Sequence, residues 1–203
     1  MKHLTRAAFA FAFLAFSLQT ASAARGESAG GSAGIGFDII GSYYSPTDTR
    51  YQGIGTGYGM NIKIDDSFTM GYRVEELQIR AEDKVAAANV SDNHVMTLQG
   101  ITAFFRTLDT EKLAIDFGLW LGSANSGDMN SAAAGSVSSP FLAPMGRLVY
   151  TSTGKVESHV TLGVGYRFIR KAFMSNPFGA GAGVADLKNF DGLEISFGVG
   201  LAF

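Results

Sequence analysis

Apolar and polar residues alternate strictly over the last eleven positions of the chain. The apolar positions hold Leu193, Ile195, Phe197, Val199, Leu201 and Phe203, and the positions between them hold Glu194, Ser196, Gly198, Gly200 and Ala202. Successive side chains of a β-strand point to opposite faces, so this segment predicts a strand with one continuous hydrocarbon face. A soluble domain rarely ends on such a strand, whereas a strand between lipid and a packed lumen has this pattern.

The same alternation predicts seven earlier strands. They cover residues 35–44, 53–64, 68–79, 94–106, 112–122, 141–151 and 156–168. In the third strand the apolar phase changes after Glu75–Glu76, which predicts a β-bulge. In the fourth, where alternation is weaker, we expect Met96, Leu98 and Phe104 to point outward. Pro144 cannot donate to a ladder, so the limits of the fourth and sixth strands stay open, and ten strands remain an alternative to eight.

The predicted connections alternate in length. Those after strands two, four and six are short, and those after strands one, three, five and seven are longer and grow along the chain, ending with a loop at residues 169–191. Membrane barrels of the bacterial outer membrane have short periplasmic turns and longer extracellular loops. An even number of strands then leaves both termini in the periplasm.

The amino-terminal segment predicts export. Basic residues at Lys2 and Arg6 precede an apolar run at 7–18 and the small-residue site at 21–23, which together indicate a cleaved secretory signal peptide over residues 1–23. Residues 24–34 are rich in Gly, Ser and Ala, and we expect a flexible periplasmic tail there, followed by the barrel at 35–203. Beyond the signal peptide no apolar run approaches the roughly 20 residues of a membrane helix. The chain has no Cys, so we expect no disulfide, thiolate chemistry or lipoprotein anchor.

Composition decides between two kinds of closed barrel. A lipocalin-like soluble barrel would point its apolar face inward, but the polar face here is mainly Gly, Ala and Ser, as a crowded small-barrel lumen requires. Aromatic residues near the strand ends on the apolar face suit interfacial girdles. The expected girdle consists of Tyr43, Tyr58, Tyr72, Phe104, Tyr166, Phe168 and Phe203. The net charge of −2 argues against a nucleic-acid partner, since no basic stripe is available. We therefore predict a membrane barrel.

On these patterns, residues 35–203 resemble the small eight-stranded outer-membrane barrels of Gram-negative bacteria, the group that includes the OmpA transmembrane domain, OmpX and OmpW. The terminal stretch at 198–203 looks like the carboxyl-terminal strand signal read by the barrel assembly machinery. The resemblance implies an all-β fold, an eight-stranded antiparallel transmembrane β-barrel, in contact with outer-membrane lipid and lipopolysaccharide. We expect a monomer without cofactor or metal, and without a periplasmic peptidoglycan-binding domain.

Charged residues on the small-residue face are expected to line the lumen. They are Asp38, Lys63, Arg73, Glu75, Asp116, Arg147, Glu157, His159, Arg167 and Glu194. Acidic and basic members are nearly balanced, and buried charges must be paired, so a cross-lumen ion-pair network is one interpretation. A narrow, charge-lined pore is the other, although an eight-stranded interior is only just wide enough for side chains to fill it.

Candidate chemistry outside this network is sparse. Glu157 and His159 share a strand face and suit an acid/base pair, but no nucleophile lies beside a base, so we expect no enzyme. The lipid A deacylase family has a His-x-Ser motif, whereas His159 is followed by Val160 and Thr161. Asp128 and Asn130 offer Ca²⁺ only two ligands, and the Gly-rich run at 179–183 suits a flexible external loop better than a phosphate site.

Basic residues near the outer rim are candidate contacts for lipopolysaccharide phosphates, with an ordinary solvated rim as the alternative. These residues are Arg80, Lys84, Arg170 and Lys171. The sequence thus predicts an outer-membrane barrel with a structural or surface-interaction role, whose loop partner it does not identify. A narrow channel for small or apolar solutes, of the OmpW sort, is the alternative, and a lipid A-modifying enzyme is a more distant one.

Overall fold

The computed structural model describes residues 34–82, 91–110, 112–127, 137–152, 157–170, 172–175 and 185–203. Ten strands account for nearly all of them. They are β1 (Ile35–Pro46), β2 (Tyr51–Lys63), β3 (Phe68–Glu82), β4 (Ser91–Asp109), β5 (Leu113–Gly127), β6 (Val137–Ser152), β7 (Glu157–Ile169), β8 (Ala172–Ser175), β9 (Ala185–Lys188) and β10 (Gly192–Ala202). Among these residues no helix is long and apolar enough to cross a membrane.

Eight of the strands form one closed antiparallel barrel, in the order β1-β10-β7-β6-β5-β4-β3-β2. The predicted eight-stranded barrel is therefore confirmed. Strand β10 closes it against β1, and the backbone N–H of Ile35 bonds to the carbonyl of Phe203 at 3.2 Å. The end of the barrel that holds Ile35 and Phe203 is called the terminal end below, and the opposite end is called the loop end.

Two connections differ from expectation. Strands β8 and β9 form a separate two-stranded sheet inside the segment 169–191, which the sequence predicted to be loop throughout. The β1–β2 connection, 47–50, is as short as the 64–67 turn at the terminal end. The other connections at the loop end, which follow β3, β5 and β7, are longer, as predicted.

The outer surface of the barrel carries most of the predicted apolar faces. On β5, for example, Phe117 and Leu121 are 57% and 51% exposed, while Trp120 between them is fully buried. On β10, Phe197 is likewise 53% exposed on the outer face. Leu201 is only 8% exposed, although the pairing of β10 with β1 is regular up to this position. Period-two alternation thus places hydrocarbon outside and small or polar groups inside over most of the barrel.

Strand β4 has the opposite phase to the one predicted. Met96, Leu98 and Phe104 are buried inside the barrel, not outward, while Ile101 and Phe105 on the other face are 54% and 59% exposed. The prediction failed because it assumed that apolar residues face outward along the whole strand. Near the loop end the interior itself is apolar, and towards the terminal end the Phe104 ring stacks against Arg147 inside the barrel, so hydrophobicity alone does not identify the face.

The bulge predicted at Glu75–Glu76 is absent. The register of β3 with β2 and β4 runs unbroken through these positions, and Glu75, Leu77 and Ile79 all point inward. The change in apolar phase reflects a change in the interior from charged to apolar. A register irregularity does occur in β4, between Arg106 and Leu108.

Pro144 lies within β6, where its side chain is exposed. The β6–β7 ladder has no pairs between Leu142–Phe168 and Met145–Gly165, and it resumes in the same register. The missing backbone donor interrupts the ladder without ending the strand, as expected for proline.

Candidate functional site: the barrel interior

Four charged side chains form a closed ring across the barrel, here called the Arg–Glu ring. Arg73 and Glu75 lie two residues apart on β3 and share its inner face, whereas Arg167 comes from β7 and Glu194 from β10. Arg73 Nη2 lies 2.5 Å from Glu75 Oε2 and 2.7 Å from Glu194 Oε1. Arg167 completes the ring, with Nη2 2.8 Å from Glu75 and Nε 2.8 Å from Glu194. Each guanidinium thus bonds to both carboxylates.

The groups around the ring explain how these charges are tolerated. All four side chains are at most 6% exposed, and buried charges are stable only when paired and hydrogen-bonded. Ser42 donates to Glu75 Oε1 at 2.7 Å. A Cβ at Gly55 would overlap both Glu75 and Ser42, so this glycine makes room for the bond. The guanidinium of Arg73 stacks 4.2 Å from the centre of the Trp120 ring, a cation–π contact.

An apolar cluster, here called the loop-end plug, fills the interior between the Arg–Glu ring and the loop end. Its members are Tyr44, Tyr51, Leu77, Ile79, Met96, Leu98, Ala124, Phe141, Ala143, Ile169 and Phe190. Phe190 comes from the segment between β9 and β10 and is anchored twice: its N–H donates to the carbonyl of Ile169 at 2.7 Å, and its carbonyl accepts the Tyr44 hydroxyl. Its ring packs edge-on against Tyr51, with centroids 5.1 Å apart.

Two smaller clusters lie between the Arg–Glu ring and the terminal end. In the first, Asp116 on β5 accepts from Arg106 and from Arg147, each at 3.0 Å, and Arg147 stacks 3.8 Å from the Phe104 ring. In the second, Asp38 on β1 lies 2.5 Å from His159 Nε2 on β7.

Gly200 lies directly between Asp38 and His159 in the register, on β10. A Cβ at Gly200 would overlap both side chains, so this glycine allows a contact across three strands. Asn61 donates to the other oxygen of Asp38. The carboxylate of Asp38 is therefore bonded on both sides.

A cavity of about 40 Å³ separates these two clusters from the Arg–Glu ring. Asp38, Arg73 and Arg147 line it, together with the hydroxyl-bearing Thr102, Thr161 and Ser196. A space of this size holds one to a few water molecules or one small ion.

The structure places eight of the ten predicted lumen charges inside the barrel. Those eight are Asp38, Arg73, Glu75, Asp116, Arg147, His159, Arg167 and Glu194. Lys63 and Glu157 instead lie at the rim of the terminal end, where both are exposed. The Glu157–His159 pairing is not formed in this arrangement, since the partner of His159 is Asp38.

Lys63 bonds to Asp66 at 2.7 Å in the turn that follows β2. The hydrogen bond and the charge of Lys63 lower the pKa of the Asp66 carboxyl below its ordinary value. In the same turn, hydrogen bonds from Ser67 lower the pKa of Asp65. These two carboxylates are ordinary solvated members of a tight turn.

Sequence reasoning missed several interior groups. Arg106 lies at the end of a predicted strand and shares Asp116 with Arg147, and Asn61 donates a hydrogen bond to Asp38. Phe190 was placed in a loop, and no periodic signal marks it. Arg106 was missed because it shares its strand face with Met96, Leu98 and Phe104, which the sequence analysis placed outward.

The remaining candidates lie at the loop end or outside the described residues. Arg80 and Arg170 are exposed at the loop end. Lys84, Lys171, Asp128, Asn130 and the run at 179–183 fall outside the described ranges. Within those ranges, no three His, Asp or Glu side chains are grouped so that they could hold a metal ion.

Three solved outer-membrane barrels are similar to this structure. They are the N-terminal β-barrel domain of Pseudomonas aeruginosa OprF, Neisserial surface protein A and the outer membrane protein OprG from Pseudomonas aeruginosa, with TM-scores of 0.51, 0.51 and 0.60. The identities are 12, 17 and 14%, and the alignments cover 86, 84 and 86% of this chain and 100, 96 and 98% of the other chains. No family model matches the sequence, and no curated protein matches it significantly.

At these identities the similarity concerns the fold. The chain has the fold of the small eight-stranded outer-membrane barrels, as the alternation and the terminal strand predicted. Each of the eight barrel strands pairs with two neighbours. The interior is packed with apolar side chains towards the loop end and with paired charges towards the terminal end.

Proposed function

We propose that the chain is an integral outer-membrane barrel whose interior is closed and whose role is structural or surface-interacting. The observation that carries the proposal is the pair of consecutive barriers across the lumen. The Arg–Glu ring spans the barrel from β3 to β7 and β10, and the loop-end plug lies directly beyond it. A side-chain-filled interior is what an eight-stranded barrel of this size allows.

The exposed hydrocarbon of the outer surface supports the membrane location. Large apolar side chains such as Ile54, Leu162 and Phe197 are more than half exposed, which would be unfavourable in water over so many strands. We further propose that both termini are periplasmic and that β10 presents the assembly signal during biogenesis. Arg80 and Arg170, exposed at the loop end, remain the proposed contacts for lipopolysaccharide.

A heat-modifiability gel on outer-membrane fractions tests the location. We expect the unboiled protein to migrate differently from the boiled protein and to fractionate with the outer membrane. Recovery as soluble periplasmic protein without a mobility shift would contradict the proposal.

Conductance in a planar bilayer tests closure. We expect no steady open levels from the purified, folded protein. Reproducible open levels would favour the alternative, a narrow channel for small solutes. In that case Arg73→Gln in the Arg–Glu ring should change the conductance, whereas Lys63→Gln, which removes a charge at the rim, should not.

The proposed role includes no enzymatic step. His159, the strongest candidate base, faces the interior and bonds to Asp38, so it is not presented to lipid at the outer surface. Expression should leave the mass of lipid A unchanged. A change in lipid A mass that disappears in His159→Ala would contradict this part of the proposal.

A further inference from the structure

We infer that the cavity between the Arg–Glu ring and the terminal-end clusters is a binding site for a single small monovalent anion of halide size. The inference does not depend on whether the barrel conducts. Its volume of about 40 Å³ admits one such ion, and its lining combines two guanidinium groups with three hydroxyl groups.

The charge balance around the cavity favours an anion. Arg147 shares its carboxylate partner, Asp116, with Arg106, which among the described residues also lies 3.6 Å from Asp109. Asp38 is the one carboxylate in the lining, and it is already bonded to Asn61 and His159. Two guanidinium groups and one carboxylate therefore line the cavity, whereas two carboxylates face two guanidinium groups in the Arg–Glu ring.

One buried donor of a residue that lines the cavity lacks an acceptor among the described residues. Arg73 is 5% exposed, and its Nε is buried without a hydrogen-bond partner among the described residues. Its Nη2 is used by Glu75 and Glu194, and its Nη1 lies 3.7 Å from the sulfur of Met145. A buried unpaired donor on a charged group is costly, so an acceptor at this position would be stabilising. The hydroxyls of Thr102, Thr161 and Ser196 line the same space and can donate to one ion.

Trp120 provides a direct readout. It is the only tryptophan of the chain, it is fully buried, and its ring lies 4.2 Å from the guanidinium carbon of Arg73. A heavy halide bound next to Arg73 would quench the indole fluorescence from inside the barrel. Bromide in solution would quench it little, because the ring is shielded from solvent.

The experiment titrates the folded, full-length protein with potassium bromide in place of potassium gluconate, at constant ionic strength. We expect a saturating loss of Trp120 fluorescence that chloride reverses by competition. Arg147→Gln should weaken the apparent bromide affinity about tenfold, as expected for the loss of a charge-assisted hydrogen bond. Lys63→Gln removes a positive charge at the exposed rim and should bind as the wild type does.

Folding of each variant is checked first by the heat-dependent mobility shift. If Arg147→Gln does not fold, Ser196→Ala and Thr102→Val take its place, and each should weaken bromide binding by a smaller factor. Quenching that stays linear in bromide, or a saturating loss that is the same in these variants as in the wild type, would overturn the inference. The cavity would then hold water only.

Discussion

The interior of the barrel is charged towards the terminal end and apolar towards the loop end, and on β3 the outer face changes in the opposite sense. On the outer face of β3, Met70 and Tyr72 are 39% and 44% exposed, whereas further along the same strand that face carries Glu76 and Gln78. The inner face changes from Arg73 and Glu75 to Leu77 and Ile79. On β3, therefore, the hydrophobic side chains face outward near the terminal end and inward near the loop end.

A row of polar residues on the outer surface marks the change. The register connects Thr56 on β2 to Glu76, Thr97, Asn125 and Ser138 on the next four strands. Where the outer face is polar, the strands need an apolar interior, as in a soluble barrel. Where the outer face is hydrocarbon, the interior accommodates paired charges. The Arg–Glu ring lies next to the junction of the two arrangements, with the loop-end plug on one side and the cavity on the other.

The largest effect is expected from breaking the Arg–Glu ring. Arg167→Met keeps much of the volume but leaves Glu75 and Glu194 to share Arg73, and removal of one partner of a buried ion pair costs about 3–5 kcal/mol. The free energy of unfolding, measured by denaturant titration with the gel mobility shift as readout, should fall accordingly. A loss no larger than that of the rim variant Lys63→Gln would mean that the ring contributes little.

The next largest effect is expected from a substitution in the loop-end plug. Leu98→Ala removes a fully buried side chain from the loop-end plug and should cost about 2–5 kcal/mol. Leu121→Ala is the matched control, because Leu121 is 51% exposed on the outer surface and leaves no cavity. Equal losses in the two variants would contradict the inward orientation of this part of β4.

The outer surface offers a comparable test. Phe197 is the central residue of β10 and is 53% exposed, so Phe197→Arg would place a charge in hydrocarbon at a cost of about 2–4 kcal/mol. Gln78→Arg adds the same side chain to the polar part of the outer face of β3 and should change stability little. If both substitutions were equally harmless, the apolar band would not be in contact with lipid.

These contrasts explain how far the sequence alone could be interpreted. The number of barrel strands and the outward faces of β2, β5, β7 and β10 followed from alternation, because in those strands the inner positions are mostly Gly, Ser or charged residues. The phase of β4 did not follow, since Met96 and Leu98 face a partly apolar interior. The alternation of apolar and polar residues also could not predict which side chains pair across the lumen. Contacts such as Asp38–His159 depend on how strands are aligned with one another, and these two residues are 121 positions apart in the sequence.

A smaller effect is expected at the glycine between Asp38 and His159. Gly200→Ala introduces a Cβ that overlaps both side chains, so they must separate, at a cost of about 1–3 kcal/mol. Gly41→Ala on the neighbouring strand β1 is the control, because a Cβ there meets no atom within 4 Å on the outer surface. The two variants should differ clearly in denaturant midpoint. A Gly41→Ala loss as large as that of Gly200→Ala would mean that the backbone, rather than the Asp38–His159 contact, requires glycine.

The smallest effect belongs to the exposed rim at the terminal end. Lys63→Gln removes the ion pair with Asp66. Because that pair lowers the pKa of Asp66 in the folded state, it contributes to the free energy of unfolding when the pH is above the ordinary pKa of 3.8. The contribution is lost as the pH falls through the lowered folded pKa, so wild type and variant should converge in acid. High salt should reduce the difference at neutral pH, since the pair is exposed. A difference that persisted in acid would show that Lys63 acts through its hydrocarbon stem, and the contrast between rim and interior charges would then rest on packing rather than on pairing.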